Sequence, residues 1–491
     1  MENLGKLKDD VARFFEMTDS RLLVFILLSL NFLSFTLTSN EEAYLPLARQ
    51  FMDPKWIPDS FTFSEWPGNR LIFQWFTGWM LTWLTFEQVA FAGRLLVFCL
   101  IAFPVGRLFK ILGIGNLPAI LILQFYLIKQ NYFAGEFIFG DYEAKSLAYI
   151  MVLAGLVCLL NGKYIQSVLW ALLAAYLHIL VGGWFFLLVL LYTMVSTKSS
   201  RIVFRQLVLF SVLIAPFAFY LVKQVYSDGT VIQGVNIDWV YVYFRNPHHT
   251  APLSVKAHLL RTTLQIGGTF ILFLLTVFLI ARVKGPVSDE LRTLNIIIFS
   301  ILFLSLGISL FDHNGTFLKF YPFRLAALGL LMMYLYVYKW FSVTWHCPVA
   351  VQLIIIFFGF YVTLAASFQT IRNIIHPVSR PSFEALVNYV THHSDPSDVF
   401  VPLNDYDLSF SRRTRREVFV NFKFDPGGGG KIYEWYYRVN ERKKLENQIG
   451  YLGEILKRYK LNFVLSDHPL TSYSRLKLVF NNPNYYLYKI Q

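Results

Sequence analysis

Charge is scarce in this sequence. Asp, Glu, Lys and Arg make up 15% of 491 residues and apolar types 55%, whereas a soluble chain is about 25% charged. That deficit argues against a water-soluble fold, and recurrent apolar runs of spanning length point to a polytopic helical membrane protein. Cysteine is scarcer still. Cys99, Cys158 and Cys347 stand far apart, in or beside apolar segments, which excludes a disulfide framework and a cysteine metal site. Ionisable residues are nearly missing from the middles of the apolar runs, so the chain lacks the polar path that a transporter needs. The glycine run DPGGGG has no Lys-Ser/Thr after it, which sets aside a phosphate loop in favour of a flexible loop. No small-residue cleavage site closes the first apolar run, which is expected to be an uncleaved signal anchor.

Eleven runs qualify as spans: 21–37, 89–109, 117–130, 144–160, 165–180, 182–196, 206–222, 265–282, 293–311, 324–341 and 350–371. The aromatic stretch NRLIFQWFTGWMLTWLTF, 69–86, reads as an interfacial helix on the outer surface. With the N-terminus inside, the inner connections carry Lys6, Lys8 and Arg13; Arg107 and Lys110; and Lys163. They continue with Lys198, Arg201 and Arg205; Arg282, Lys284 and Arg292; and Lys339. Every one is basic, as the positive-inside rule requires, and counting 69–86 as a span would spoil the pattern. The net charge of +13 is thereby explained without a nucleic-acid partner.

Beyond about residue 375 the chain turns polar. Strand-like runs DVFVPL, REVFVNF, LNFVLS, RLKLVF and YYLYKI alternate with helical stretches at 381–392, 431–440 and 445–459. This predicts a small α/β domain, and an odd number of spans places it outside. The domains expected are therefore 1–374, in the membrane, and 375–491, extracytoplasmic.

On this topology the unusual polar residues gather at the outer face. Glu41 and Glu42 follow the first span, and Arg94 lies near the outer end of the second. Asp141, Glu143 and Lys145 precede the fourth span, and His178 ends the fifth. His248 and His249 lie in the RNPHH loop; Asp312, His313, Lys319 and Arg324 lie between the ninth and tenth spans. Each has a plain alternative: a solvated helix end for Glu41 and Glu42, a favourable helix start for Asp141 and Glu143, and an interfacial anchor for Arg324. Their convergence on one face favours chemistry.

These residues resemble the GT-C superfamily of membrane glycosyltransferases, which use polyprenyl-phosphate-linked sugars; protein O-mannosyltransferases and lipid A aminoarabinose transferases are members. In NEEAYLPLAR, Asn40 and Glu41 occupy the family's Asp-Glu pair, followed by Tyr44, Ala48 and Arg49. Asp141-Tyr142-Glu143 resembles its second acidic motif, Arg324 in YPFRLAAL its late arginine, and NRLIFQWF its interfacial helix. The chain is most similar to bacterial members, which places it in a plasma membrane as an envelope enzyme.

The resemblance implies a GT-C-like all-α fold and sugar transfer from a polyprenyl-phosphate lipid to a glycan, lipid or protein acceptor. The family's usual base falls on Asn40, an amide that cannot take a proton, so Glu41 or Glu42 would have to serve. Arg324, with Lys319 or a histidine (His248, His249), would bind the donor phosphate. Asp141 and Glu143 would hold a divalent cation, Mg²⁺ or Mn²⁺, or orient the sugar. A non-catalytic GT-C-scaffold subunit is the rival reading, and a lipid-linked sugar transporter the weaker one.

Overall fold

The computed structural model describes residues 2–64, 68–225, 231–280, 286–344, 348–376, 380–404, 407–427, 429–470 and 473–491. Arg282, Lys284 and Cys347 lie outside the described residues. The chain divides into two compact units. One comprises Met1–Phe35, Phe91–Phe219 and Val242–Ile375; the other comprises Thr36–Ala90, Tyr220–Tyr241 and His376–Gln491.

The first unit is helical. Among the described residues, 7 helices are long and apolar enough to cross a membrane: Phe86–Ile111, Ile179–Thr197, Ser200–Val222, Lys256–Phe278, Asp289–Ser309, Leu318–Lys339 and Val349–Ile375. Four shorter apolar helices accompany them, Ser20–Phe32, Asn116–Lys129, Ala144–Leu160 and Tyr164–Leu177. Each expected apolar run overlaps one of these helices, though the run 21–37 outlasts its helix, which ends at Phe32 with Leu33 extended, and 281–282 lie outside the described residues. The shorter helices lack the roughly 20 residues that span a bilayer without help. The chain is an integral membrane protein. A helix satisfies its backbone polar groups internally, which is why an apolar run takes this form in lipid. Ile354, Phe357, Phe358, Leu364 and Phe368 are exposed along Val349–Ile375, as a lipid-facing surface requires.

Close packing uses small residues. A side chain on Gly182 would strike the Ala175 backbone, and one on Gly155 the ring of Phe185, so the helix Ala144–Leu160 and its two successors stack tightly. Asn31 and Gln124 exchange amide hydrogen bonds, Asn31 Nδ2 to Gln124 Oε1 at 2.9 Å and Gln124 Nε2 to Asn31 Oδ1 at 3.2 Å. The polar pair inside this apolar bundle is thus satisfied reciprocally.

In the second unit, residues of the segment Thr36–Ala90 share a core with C-terminal residues: Ala43, Trp56, Ile57 and Phe63 pack with Phe424. The aromatic stretch forms the helix Leu71–Met80, ten residues long, too short to cross a bilayer at 1.5 Å per residue. It exposes Ile72, Trp75, Phe76 and Trp79, a single face at helical spacing suited to the membrane interface. Strands β1 (Val231–Ile232) and β2 (Val235–Asn236) form a short antiparallel hairpin.

All the expected C-terminal strand runs contain strands: β3 (Val399–Pro402), β4 (Glu417–Val418), β5 (Phe463–Ser466), β6 (Leu476–Asn482) and β7 (Tyr485–Ile490). The sheet order is β4-β3-β5-β7-β6. Strands β4, β3 and β5 run parallel, and β7 and β6 continue antiparallel. Phe400 and Phe463 are register partners, and their rings stack at 4.8 Å between centroids. The helical stretch expected at 445–459 is not one helix. Its first residues end the helix Gly429–Asn447, and a short turn of helix, Leu452–Ile455, follows. Gln448 at the break has extended backbone angles, φ −148° and ψ 97°.

Glu417 joins the segment Thr36–Ala90 to the sheet. It is buried and accepts from Ser60 Oγ, from Thr62 N at 3.1 Å and from Thr62 Oγ at 2.9 Å. Glu417→Ala would leave three donors unmet, each costing about 1–3 kcal/mol when buried. Faster hydrogen exchange at 60–64 and a lowered unfolding midpoint are expected; unchanged exchange there would refute this role.

Candidate functional site

The first unit's polar centre is built on an irregular loop between the helices Asn116–Lys129 and Ala144–Leu160. Gln130 fixes the loop, its Oε1 accepting from Ile138 N and Phe139 N and its Nε2 donating to Phe139 O. Ala134 and Gly135 then take positive φ, 53° and 64°. That conformation is uncommon for a residue with a side chain. A Cβ on Gly135 would lie 3.2 Å from His249 Cε1, so the turn must be this bare to admit the histidine. The turn delivers Glu136, whose side chain is 0% exposed.

Arg324 meets Glu136. Its Nη1 donates to both carboxylate oxygens, at 2.8 and 2.7 Å. Tyr321, itself at φ 50°, places its ring 4.5 Å beneath the guanidinium. Tyr149 OH donates to Arg324 O at 2.6 Å. The Nε of Arg324 is buried and has no hydrogen-bond acceptor among the described residues. Buried donors are rarely left so, and a guanidinium offers Nε as part of the edge that grips oxyanions.

His249 approaches the same carboxylate. Its Nδ1 lies 2.8 Å from Ala134 O and 3.4 Å from Glu136 Oε1. A carbonyl only accepts, so Nδ1 carries the hydrogen. Burial, then His248 and the charges of Arg324 and Lys145, hold the imidazole well below its usual pKa, against the hydrogen bond to Ala134. His249 is therefore neutral near pH 7. His248 is exposed, with its ring 4.1 Å from that of His249.

Glu143 and Lys145 form a buried pair, Nζ to Oε1 3.3 Å, and Lys145 lies 3.5 Å over the Phe137 ring. Tyr149 feels the charges of Glu136, Arg324 and Glu143 together, so both acid–base pairs belong to one cluster. Asp141 is half-buried. Lys319 is half-buried, 5.7 Å from the Phe320 ring. Asp312 has a structural duty: its carboxylate caps Thr316, Phe317 and Leu318 N.

No family model matches the chain, and no curated protein does. Among solved structures it is similar to the crystal structure of ArnT from Cupriavidus metallidurans bound to undecaprenyl phosphate. That match has 13% identity and a TM-score of 0.47, covering 96% of this chain and 96% of that one. The apo state of ArnT from the same organism gives 12% identity and a TM-score of 0.42, with 95% and 96% covered. Likeness at this level assigns no activity.

Glu41 and Glu42 belong to the second unit. Glu41 is fully buried, and its Oε2 accepts from Thr38 N at 2.8 Å while Thr38 Oγ1 accepts from Glu41 N at 3.3 Å. This reciprocal pair is a capping box, which starts the helix Glu41–Met52. Glu42 is gripped by Arg412: Nε to Oε2 and Nη2 to Oε1, both 2.8 Å. The third guanidinium nitrogen, Nη1, holds Glu87 at 2.8 Å. Asn40 Oδ1 accepts from Lys423 Nζ at 2.9 Å.

Sequence reasoning named Arg324 and His249, which the fold brings together, but not Glu136, Tyr149, Arg412 or Lys423. Glu136 stands alone in an irregular loop, with no motif spacing to mark it. The capping box was readable, because Thr38 and Glu41 have the T-x-x-E spacing.

Proposed function

We propose that this chain is a membrane glycosyltransferase of the GT-C type, moving a sugar from a polyprenyl-phosphate lipid to an acceptor at the outer face. Residues 1–374 are its membrane domain and 375–491 an extracytoplasmic domain. The observation that carries the reading is half-buried Arg324, fixed by the buried Glu136 through one nitrogen while Nε lacks an acceptor among the described residues. Buried ionisable groups in a membrane protein are costly and mark function, and a lipid phosphate supplies the oxygens that Nε lacks. The sequence pattern around Asn40, Asp141 and Arg324 supports the same reading.

Transfer breaks the bond from the anomeric carbon to the phosphate oxygen and forms one to the acceptor oxygen. Charge grows on the departing phosphate, where Arg324 and Lys145 stabilise it. The residues fit a divalent cation poorly. Glu143 already faces the Lys145 ammonium, and no group of three His, Cys, Asp or Glu among the described residues is arranged to hold a metal.

Purified protein incubated with undecaprenyl-phosphate-linked sugars and membrane-extract acceptors is expected to release undecaprenyl phosphate, and donor binding is expected to survive EDTA. Binding lost to EDTA and regained with Mg²⁺ would restore Asp141 and Glu143 as a cation site. Donor binding without turnover would favour the second reading, a non-catalytic subunit. That reading rests on a specific observation: Asn40, Glu41 and Glu42 all have structural partners.

A further inference from the structure

We propose that His249 is the catalytic base of this transfer, accepting the acceptor hydroxyl's proton on Nε2 while Ala134 and Glu136 hold the ring by Nδ1. The role rests on the glycosyltransferase reading above and adds the residue that Asn40 cannot supply. As the acceptor oxygen bonds to the anomeric carbon, its proton passes to His249 Nε2 and the bond to the lipid phosphate breaks. The imidazolium then loses the proton to solvent.

The geometry is that of a base with a fixed tautomer. With Nδ1–H committed to the Ala134 carbonyl at 2.8 Å, the lone pair sits on Nε2. Glu136 Oε1, 3.4 Å from Nδ1, faces the proton-bearing nitrogen and stabilises the imidazolium that forms. A partner on one ring nitrogen that fixes the tautomer, here the Ala134 carbonyl, with a carboxylate close by, is an arrangement that suits histidine to general-base work. The ring is not sealed off, since 24% of the side chain is exposed. Neither glutamate of the opening acidic pair is as available, Glu41 being tied to Thr38 and Glu42 to Arg412.

The charges around His249 give the site a donor-dependent basicity. Among the described residues, Glu136, Arg324, Tyr321, Lys145 and His248 are the titratable groups about it. The cations Arg324 and Lys145 weaken it as a base. A phosphate bound on Arg324 offsets that field and makes Nε2 more basic once the donor is in place. Protonation removes the lone pair, so activity falls as pH drops. The fall in kcat/KM, which reports the free enzyme, should lie below pH 6.5. The fall in kcat, which reports the donor complex, should lie at higher pH.

His249→Asn tests the role, because the asparagine amide can still donate toward Ala134 but has no basic nitrogen. With the donor and acceptor pair that supports wild-type transfer, kcat should drop by roughly 10²–10⁴, the span of general-base contributions. The low-pH limb should vanish, and undecaprenyl phosphate should bind as before. Retained kcat with an unchanged pH profile would overturn the proposal while leaving the transferase intact. Loss of undecaprenyl phosphate binding would make His249 a phosphate ligand instead, and no transfer by the wild type would remove the function and this role together. Should the variant fold poorly, the wild-type profile decides: a kcat whose low-pH fall is missing, or lies no higher in pH than that of kcat/KM, would overturn it.

Discussion

Arg324→Lys should weaken undecaprenyl phosphate binding by about ten- to a hundredfold, with the unfolding midpoint nearly unchanged. Hydrogen bonds to charged groups contribute roughly 1.5–3 kcal/mol, which sets that range. Lysine keeps a positive charge beside Glu136 but has neither the planar fork nor the Nε donor. Arg324→Ala is a different experiment. It strands Glu136, whose side chain has no exposure, and an uncompensated buried charge costs about 3–5 kcal/mol. Alanine should therefore lose both binding and stability, and adding Glu136→Gln should restore stability without restoring binding. Calorimetric titration with undecaprenyl phosphate, beside thermal unfolding, separates the two losses. Normal affinity in the lysine variant would reduce Arg324 to a structural ion pair.

The second large effect is expected at Arg412. Its side chain is 8% exposed and that of Glu42 12%, so the fork between them is shielded from water. Arg412→Ala should destabilise the second unit by about 1.5–3 kcal/mol, the worth of charge-assisted bonds left unmade. Faster amide exchange should appear in both Glu41–Met52 and Phe410–Thr414, which the pair joins. Glu42→Gln should show a smaller version of the same loss and retain transfer. If transfer instead falls by roughly 10²–10⁴ with stability intact, Glu42 is the base and His249 is not. Exchange unchanged in both segments of the Arg412 variant would refute the clasp.

Both effects hinge on partners that no local pattern announces. Glu136 and Arg324 are 188 positions apart, and Glu42 and Arg412 are 370 apart. A carboxylate in the sequence looks the same whether it is solvated, capping a helix or gripped by an arginine. Glu41 and Glu42 illustrate this: adjacent in the chain, they end in two different structural roles. The helix Glu41–Met52 turns one toward Thr38 and the other toward Arg412.

By itself the sequence determined what depends on short range and on solvent. Uninterrupted apolar residues dictated helices, because lipid offers no partner for backbone N–H and C=O groups. Alternating β-branched and aromatic runs dictated strands β3 to β7, and the short aromatic stretch dictated a helix too brief to span. Tertiary structure alone decided which charges meet. The positive-φ turn at Ala134 and Gly135 put Glu136 between Arg324 and His249, and the fold placed Arg412 against Glu42. Burial and ion pairing act through space at a few ångströms, and distance along the chain carries no record of them.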